Sequence, residues 1–138
     1  MQYRKSKNAF LIRLMKGEEI ISSLTKFLTA QKISSAYFSG IGAVQKATLG
    51  FYNLKKKKYI WRKFSECEVV SLIGNVSLLN GKPFIHAHLV ISDNKYSCYG
   101  GHLKDAVVGA TLEIVLKKLS GKAERKFDRE IGLNLLDL

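Results

Sequence analysis

The chain opens on an alternation of apolar and polar positions. From Asn8 to Met15, Phe10, Ile12 and Leu14 alternate with Leu11 and Arg13. This two-residue period predicts a strand with one buried face. The period then changes. Between Gly17 and Gln31, Ile20, Leu24, Phe27 and Leu28 fall on one stripe with Ile21 at its edge, which predicts an amphipathic helix. Glu18 and Glu19 in its first turn and Lys32 just past its end suit the helix dipole. Beyond it the two-residue period returns. Strands are predicted over Ser35–Ala43, Ala47–Asn53, Lys58–Phe64, Glu68–Leu79, Phe84–Ser92, Tyr96–Tyr99, Thr111–Lys118 and Arg125–Glu130. One main helix on a mixed, mostly antiparallel sheet is an α+β fold.

The turns between two of these strands fix which faces match. Asn80-Gly81 is a strong hairpin signal. With an even loop there, Ile85, Ala87, Leu89 and Ile91 share a face with Val70, Leu72, Val76 and Leu78. The opposite face then carries His86 and His88 beside Ser71, Asn75 and Ser77. One face is uniformly apolar and the other is a half-polar pocket floor. His102 completes the protein's set of three histidines. An ideal two-residue turn at Asp93-Asn94 would set it near Ile85 on the wrong face. A bulge at Gly100-Gly101 could re-aim it, or a neighbouring subunit could supply one ligand.

Three imidazoles with one open position describe a catalytic-type zinc site. The same donors suit iron, nickel or manganese, and make calcium or magnesium unsuitable. A divalent metal, zinc foremost, is therefore the cofactor expected. The plain alternative is a chance alternation of two histidines with the third in a loop. Glu113, on a predicted strand with Thr111 and Val115, is a candidate general base for such a site, or a solvated strand residue. No serine sits in a G-x-S-x-G elbow. Ser39-Gly40-Ile41-Gly42-Ala43 lacks the third glycine of a dinucleotide fingerprint, and close backbone packing explains its glycines better.

Composition sharpens the picture in two places. At 138 residues with 46% hydrophobic positions, the chain fits one domain, residues 1–138 with a core at about 9–136. The charge is not ordinary: 23 Lys and Arg stand against 11 Asp and Glu, a net of +12. The whole excess lies in residues 1–65. It is densest at Lys55-Lys56-Lys57-Lys58, flanked by Phe51, Tyr52, Tyr59 and Trp61, with Arg62 and Lys63 beyond. Cations interleaved with aromatics suit nucleic-acid phosphates and bases. A hairpin tip kept soluble by lysines accounts for the run equally simply. Cys67 and Cys98 form no C-x-x-C pair, so neither a disulfide scaffold nor a thiolate zinc site is expected. No signal peptide or transmembrane stretch is recognisable, and the cytoplasm is the expected compartment.

Several segments together resemble the plants-and-prokaryotes conserved (PPC) domain family. They are Ser39–Val44 running into Ala47–Tyr52, Glu68–Val76, Phe84–His88, Gly100–Leu103 and Ala106–Ile114. The resemblance implies a homotrimer on a mixed sheet with one main helix. It implies a metal held by His86, His88 and His102, and a fold similar to acetolactate decarboxylase. Plant members join the domain to AT-hooks. This chain has no Arg-Gly-Arg core, and no N-terminal extension to carry one is expected. Two functions follow as expectations. The first is a trimeric binding module that associates with DNA through non-specific electrostatics, with no membrane partner. The second is a metal-dependent lyase or hydrolase acting on a small carbonyl or carboxylate substrate.

Overall fold

The computed structural model describes residues 1–138. Eight strands and one helix follow one another as β1 (Gln2–Ser6), β2 (Ala9–Met15), α1 (Ile20–Ala30), β3 (Ala36–Asn53), β4 (Lys58–Leu79), β5 (Lys82–Ser92), β6 (Cys98–Lys118), β7 (Glu124–Asp128) and β8 (Leu133–Asp137). The sheet runs β1-β2-β6-β3-β4-β7-β8. β5 pairs with both β4 and β6, so β3, β4, β5 and β6 close on one another. Every pairing is antiparallel except β4 with β7, which meet at Leu78 and Glu124 in parallel. The sheet is therefore mixed and mostly antiparallel.

The helix lays its predicted stripe on this sheet. Ile20, Leu24, Phe27 and Leu28 are buried against Phe10, Ile12 and Leu14 of β2, Phe38 of β3 and Leu112, Ile114 and Leu116 of β6, in one apolar cluster. The helix begins at Ile20, three residues later than the spacing suggested. Gly17 adopts φ +88°, outside helical space, and Glu19 is the N-cap. The Glu19 carboxylate accepts from the backbone N–H groups of Ile21 (3.1 Å) and Ser22 (2.6 Å) and also from that of Ala106 in β6. The cap thus starts the helix and ties it to the sheet.

Three strands are longer than the alternation indicated. Ser35–Ala43, from Ala36 onward, and Ala47–Asn53 are parts of β3, and Lys58–Phe64 and Glu68–Leu79 are parts of β4. Tyr96–Tyr99 and Thr111–Lys118 lie at the two ends of β6, whose strand proper starts at Cys98. The pairings absorb register shifts at Gly40/Gly42, Val44/Lys46 and Thr48/Leu49 without breaking the strands. These bulges change which side chain faces which side, so the simple alternation is lost in the sequence while the ladder continues. β1 and β8 escaped the pattern altogether, because both are short and largely exposed.

The β4–β5 hairpin is as the turn signal requires. Leu79 pairs with Lys82, and Asn80 and Gly81 take φ +53° and +74°, the signs of a type I′ turn. Leu72, Gly74 and Val76 face Leu89, Ala87 and Ile85. One member of the expected apolar face is different. A register shift between Val69 and Ser71 puts Val70 outside, 51% exposed, and Val69 takes its place in the core.

Candidate metal centre

β5 positions two of the three histidines. His86 lies across from Asn75 and His88 across from Ile73, on the face that also carries Ser77 and Phe84. His102 enters from β6 directly across from His88. The β5–β6 connection explains how. Ser92 pairs with Cys98, so the loop holds Asp93 to Ser97 rather than two residues. This changes the pairing by an odd number of positions and turns His102 onto the histidine face. The Asp93 carboxylate holds the loop by accepting from the backbone N–H groups of Lys95 and Ser97, both at 2.9 Å, while Tyr96 takes φ +62°. The five-residue loop thus does what a Gly100-Gly101 bulge was expected to do, and all three histidines come from one chain.

The three rings lie 5.2–5.6 Å apart between centroids. One ligand nitrogen from each lies within 4.8 Å of the others. His86 and His102 are half-buried and His88 is exposed. His102 Nδ1 is buried and has no hydrogen-bond partner in the protein. A buried imidazole nitrogen without a partner is costly, and a metal ligated there removes that cost. The donor set is neutral nitrogen, which fits a borderline cation such as zinc. Burial, then the neighbouring His86 and His88, then Arg125 push the pKa of His102 down to about 4. His86 is lowered as well, by burial first and then by Arg125 and His88. Both rings therefore favour the neutral form that a metal needs.

An aromatic stack walls one side. Tyr59 stacks on His102 at 4.8 Å and 30°, and Trp61 stacks on Tyr59 at 4.6 Å and 22°. Tyr52 packs against Tyr59 at 4.9 Å. Gly50, between Trp61 on β4 and His102 on β6, makes room for this. A Cβ there would come within 2.5 Å of the Trp61 ring and 2.8 Å of Tyr59. On the other side, Arg125 of β7 donates from Nε to Ser77 Oγ (2.8 Å), from Nη1 to the Asn134 carbonyl (2.8 Å) and from Nη2 to Asn75 Oδ1 (2.9 Å). A cavity of about 780 Å³ opens over His86, His88 and His102, and Arg62, Phe64, Tyr99 and Leu133 also line it.

The other residues singled out in the sequence lie apart from this centre. Glu113 is on β6, eleven positions beyond His102, across from Arg13 and Ile41. It lines a separate cavity on the outer face of the sheet, so the structure does not bring it to the histidines. Lys55 to Lys58 form the tip of the β3–β4 hairpin and are exposed. Lys57 Nζ donates to the Arg129 carbonyl, and Asn53 Oδ1 accepts from the Lys56 N–H. Arg62 lies over the rings of Phe64 and Tyr99, at 5.1 and 5.0 Å, and Lys63 is exposed across from Thr48. The aromatics flanking the lysines divide. Tyr52, Tyr59 and Trp61 belong to the stack on His102, and Phe51 alone stays largely exposed, at 70%. Arg125 carried no signal in the sequence, because its place depends on where β7 docks on β4.

The Plants and Prokaryotes Conserved (PCC) domain matches residues 1–120. The chain belongs to that family. A metal-containing protein of Archaeoglobus fulgidus is 37% identical, with a TM-score of 0.89 over 99% of this chain and 97% of the other. A PPC protein of Pyrococcus horikoshii is 34% identical, with a TM-score of 0.90 over 99% and 95%. A candidate DNA-binding protein of Bacteroides thetaiotaomicron is 31% identical, with a TM-score of 0.95 over 99% and 96%. The fold also resembles the α-acetolactate decarboxylase of Bacillus subtilis, at 14% identity and a TM-score of 0.57 over 93% of this chain and 60% of that one. Among curated proteins, the bifunctional protein GlmU of a Synechococcus strain is 24% identical over 127 residues, but the chain spans only 19% of its length. No helix of this PPC-domain chain is long and apolar enough to cross a membrane.

Proposed function

We propose that this protein is a homotrimeric, metal-binding PPC-domain protein that binds a small ligand at an open metal held by His86, His88 and His102. The observation that carries this reading is the convergence of three imidazole nitrogens within 4.8 Å at the floor of a cavity. Three protein ligands leave a position for water or substrate, which structural zinc sites do not. When bound, the metal would polarise a carbonyl or activate a water. The protein's own residues set the surroundings. Tyr59 holds the His102 ring by stacking, and Arg125 places positive charge on the Asn75 side of His86. A lyase or hydrolase activity on a small carbonyl or carboxylate compound is the chemistry this arrangement favours. The metal-containing relative from Archaeoglobus fulgidus supports the metal, and zinc is the first candidate.

Elemental analysis of protein purified without added metal tests the reading. About one metal per chain is expected in the wild type, with most of it lost in His88→Ala. A metal-free wild type that also takes up none from added zinc, or a variant that keeps the full complement, overturns it.

The lysine tip favours a second role. Four consecutive exposed lysines stand at the turn that joins β3 to β4, next to Tyr59, whose ring stacks on His102. They would attract DNA phosphates without reading sequence. The DNA-binding description of the Bacteroides relative agrees with this. Duplex binding should weaken steeply with salt and fall when the four lysines are replaced by glutamine. Binding that ignores salt, or survives the replacement, rules the role out.

A further inference from the structure

β3 and β6 pair as far as Gly50 and His102 and then part. β3 stays with β4 to Asn53, and β6 stays with β5 to Cys98. The cavity over the histidines opens in this fork. Side chains alternate along β4. Tyr59 and Trp61 therefore project to the side of His102, in the stack described above, and Arg62 and Phe64 project to the other side. Tyr59, His102, Arg62 and Phe64 all line the same cavity, so it has a histidine wall and an Arg62 wall. Gly100 keeps the fork open. A Cβ there would meet nothing closer than Val90 at 3.4 Å, so packing does not demand a glycine, and a side chain would take up space in the cavity.

Arg62 is an unneutralised cation in this cavity. The protein's one ion pair joins Glu18 to the chain's N-terminal amine, and none of the residues lining the cavity is Asp or Glu. Asp93 reaches the hydroxyl of the neighbouring Tyr99 at 3.5 Å, but its carboxylate is already committed to the N–H groups of Lys95 and Ser97. What holds Arg62 is a pair of rings. Its guanidinium carbon lies 5.1 Å from the centroid of Phe64 and 5.0 Å from that of Tyr99. This contact fixes the head of the side chain without consuming its N–H groups, which stay available to a ligand. The same rings, with Tyr52, Tyr59 and Leu133, make the cavity wall largely apolar. Apolar walls, one free guanidinium and no carboxylate are complementary to a small anion with an apolar body. An arginine that merely covered Phe64 and Tyr99 would be replaceable by an uncharged chain of similar length.

We propose that Arg62 is the anion-binding residue of the cavity over the histidines, and that the ligand of this cavity is a small carboxylate with an apolar body, its carboxylate on Arg62 and its body between the rings and the histidines. The proposal rests on the metal reading given above only in placing the metal at the ligand's far end. No lysine lines the cavity beside Arg62, so the protein offers one positive charge there. That matches a singly charged carboxylate better than a doubly charged phosphate, and the guanidinium fork fits the carboxylate's two oxygens.

Benzoate, its neutral counterpart benzamide, and acetate, which lacks the ring, serve as probes. Zinc-loaded and zinc-free protein are titrated separately by calorimetry, so the readout is binding alone. Benzoate should bind wild type at least about tenfold more tightly than benzamide or acetate. Arg62→Met keeps an apolar cover on Phe64 and Tyr99 and removes the charge. It should lose about tenfold or more of the benzoate affinity in both forms, the size expected for a lost hydrogen bond to a charged group, and Arg62→Lys should keep part of it. Lys46 is exposed and lies outside the cavity, so Lys46→Gln removes one positive charge elsewhere and should bind benzoate as wild type does. Circular dichroism confirms that the variants are folded. Benzoate affinity in folded Arg62→Met within twofold of wild type overturns the proposal, as does equal binding of benzoate and benzamide or no binding of benzoate. Binding that requires zinc and ignores Arg62 overturns it as well, since the carboxylate then sits on the metal. An equal loss in Lys46→Gln would reduce the effect to net charge, and equal binding of acetate and benzoate would refute the apolar body. Failure of wild type to take up zinc would instead overturn the metal reading, and the zinc-free titration would then decide the role of Arg62 by the same criterion.

Discussion

At His102, burial and charge act in the same direction. The folded protein pushes its pKa down to about 4 from the ordinary value of 6.5. In metal-free protein, the unfolded chain therefore takes up a proton on this residue at a pH where the folded chain refuses it. The stability contributed by the neutral ring is complete above about pH 6.5 and falls as pH drops toward 4. His86, lowered for the same first reason, adds to the loss. Urea unfolding of metal-free protein between pH 7.5 and 4.5 should show stability decreasing with pH, and His102→Gln should flatten the decline. An equally steep decline in the variant would count against this origin. The residues of the site were unequally legible in the sequence. His86 and His88 follow from a two-residue period and an even turn, both local quantities. His102 depends on a loop whose length is set by Asp93 bonding to Lys95 and Ser97. Arg125 and Tyr59 depend on docking between strands far apart in the chain, for which no local pattern exists.

At the scale of elements, glycines mark where strands pass close to one another. Gly40 and Gly42 lie inside the strand read over Ser35–Ala43, and β3 runs on through them to Asn53. They are there because β6 passes too close for a side chain: a Cβ on Gly40 would lie 2.8 Å from the Glu113 carbonyl oxygen. Gly74 on β4 has the same function at the site. A Cβ on it would meet the Phe38 ring at 2.3 Å and the His86 carbonyl oxygen at 2.7 Å, and Phe38 is fully buried. Neither neighbour can retreat cheaply, since one is in the packed core and the other is the backbone that carries a histidine. Gly74→Ala should therefore cost roughly 1–3 kcal/mol, the range for overpacking a core. Thermal unfolding measures that cost directly. Metal affinity should fall with it, because relief of the clash moves β5 at His86. An alanine variant as stable as wild type would mean that β4 and β5 are not packed as described.

The whole molecule leaves one face without a covering layer. The helix covers one side of the sheet, and the opposite side exposes Leu11, Ile41, Val70, Ile73 and Val115 around a cavity of about 740 Å³. In register, Leu11, Val115, Ser39 and Ile73 form one continuous row across β2, β6, β3 and β4, and the next residue in that row is His88 on β5. A contiguous apolar face of this kind marks an interface. A second copy of the chain is the occupant that accords with the trimer implied by the family resemblance. Arg4 and Arg13 line the same cavity beside Glu113, so part of the positive charge of the first 65 residues lies at the edge of this face. Sedimentation should then give a mass of three chains. Val115→Lys puts a charge within the row without touching the core, because Val115 is half-exposed in the single chain. It should shift the protein to monomer with its circular dichroism unchanged. Since the row leads directly to His88, assembly would also shield the one exposed ligand of the metal. The monomeric variant should accordingly surrender its metal to a chelator faster than wild type. A monomeric wild type would refute the assembly, and equal rates of metal loss from trimer and monomer would show that the interface and the metal centre are independent.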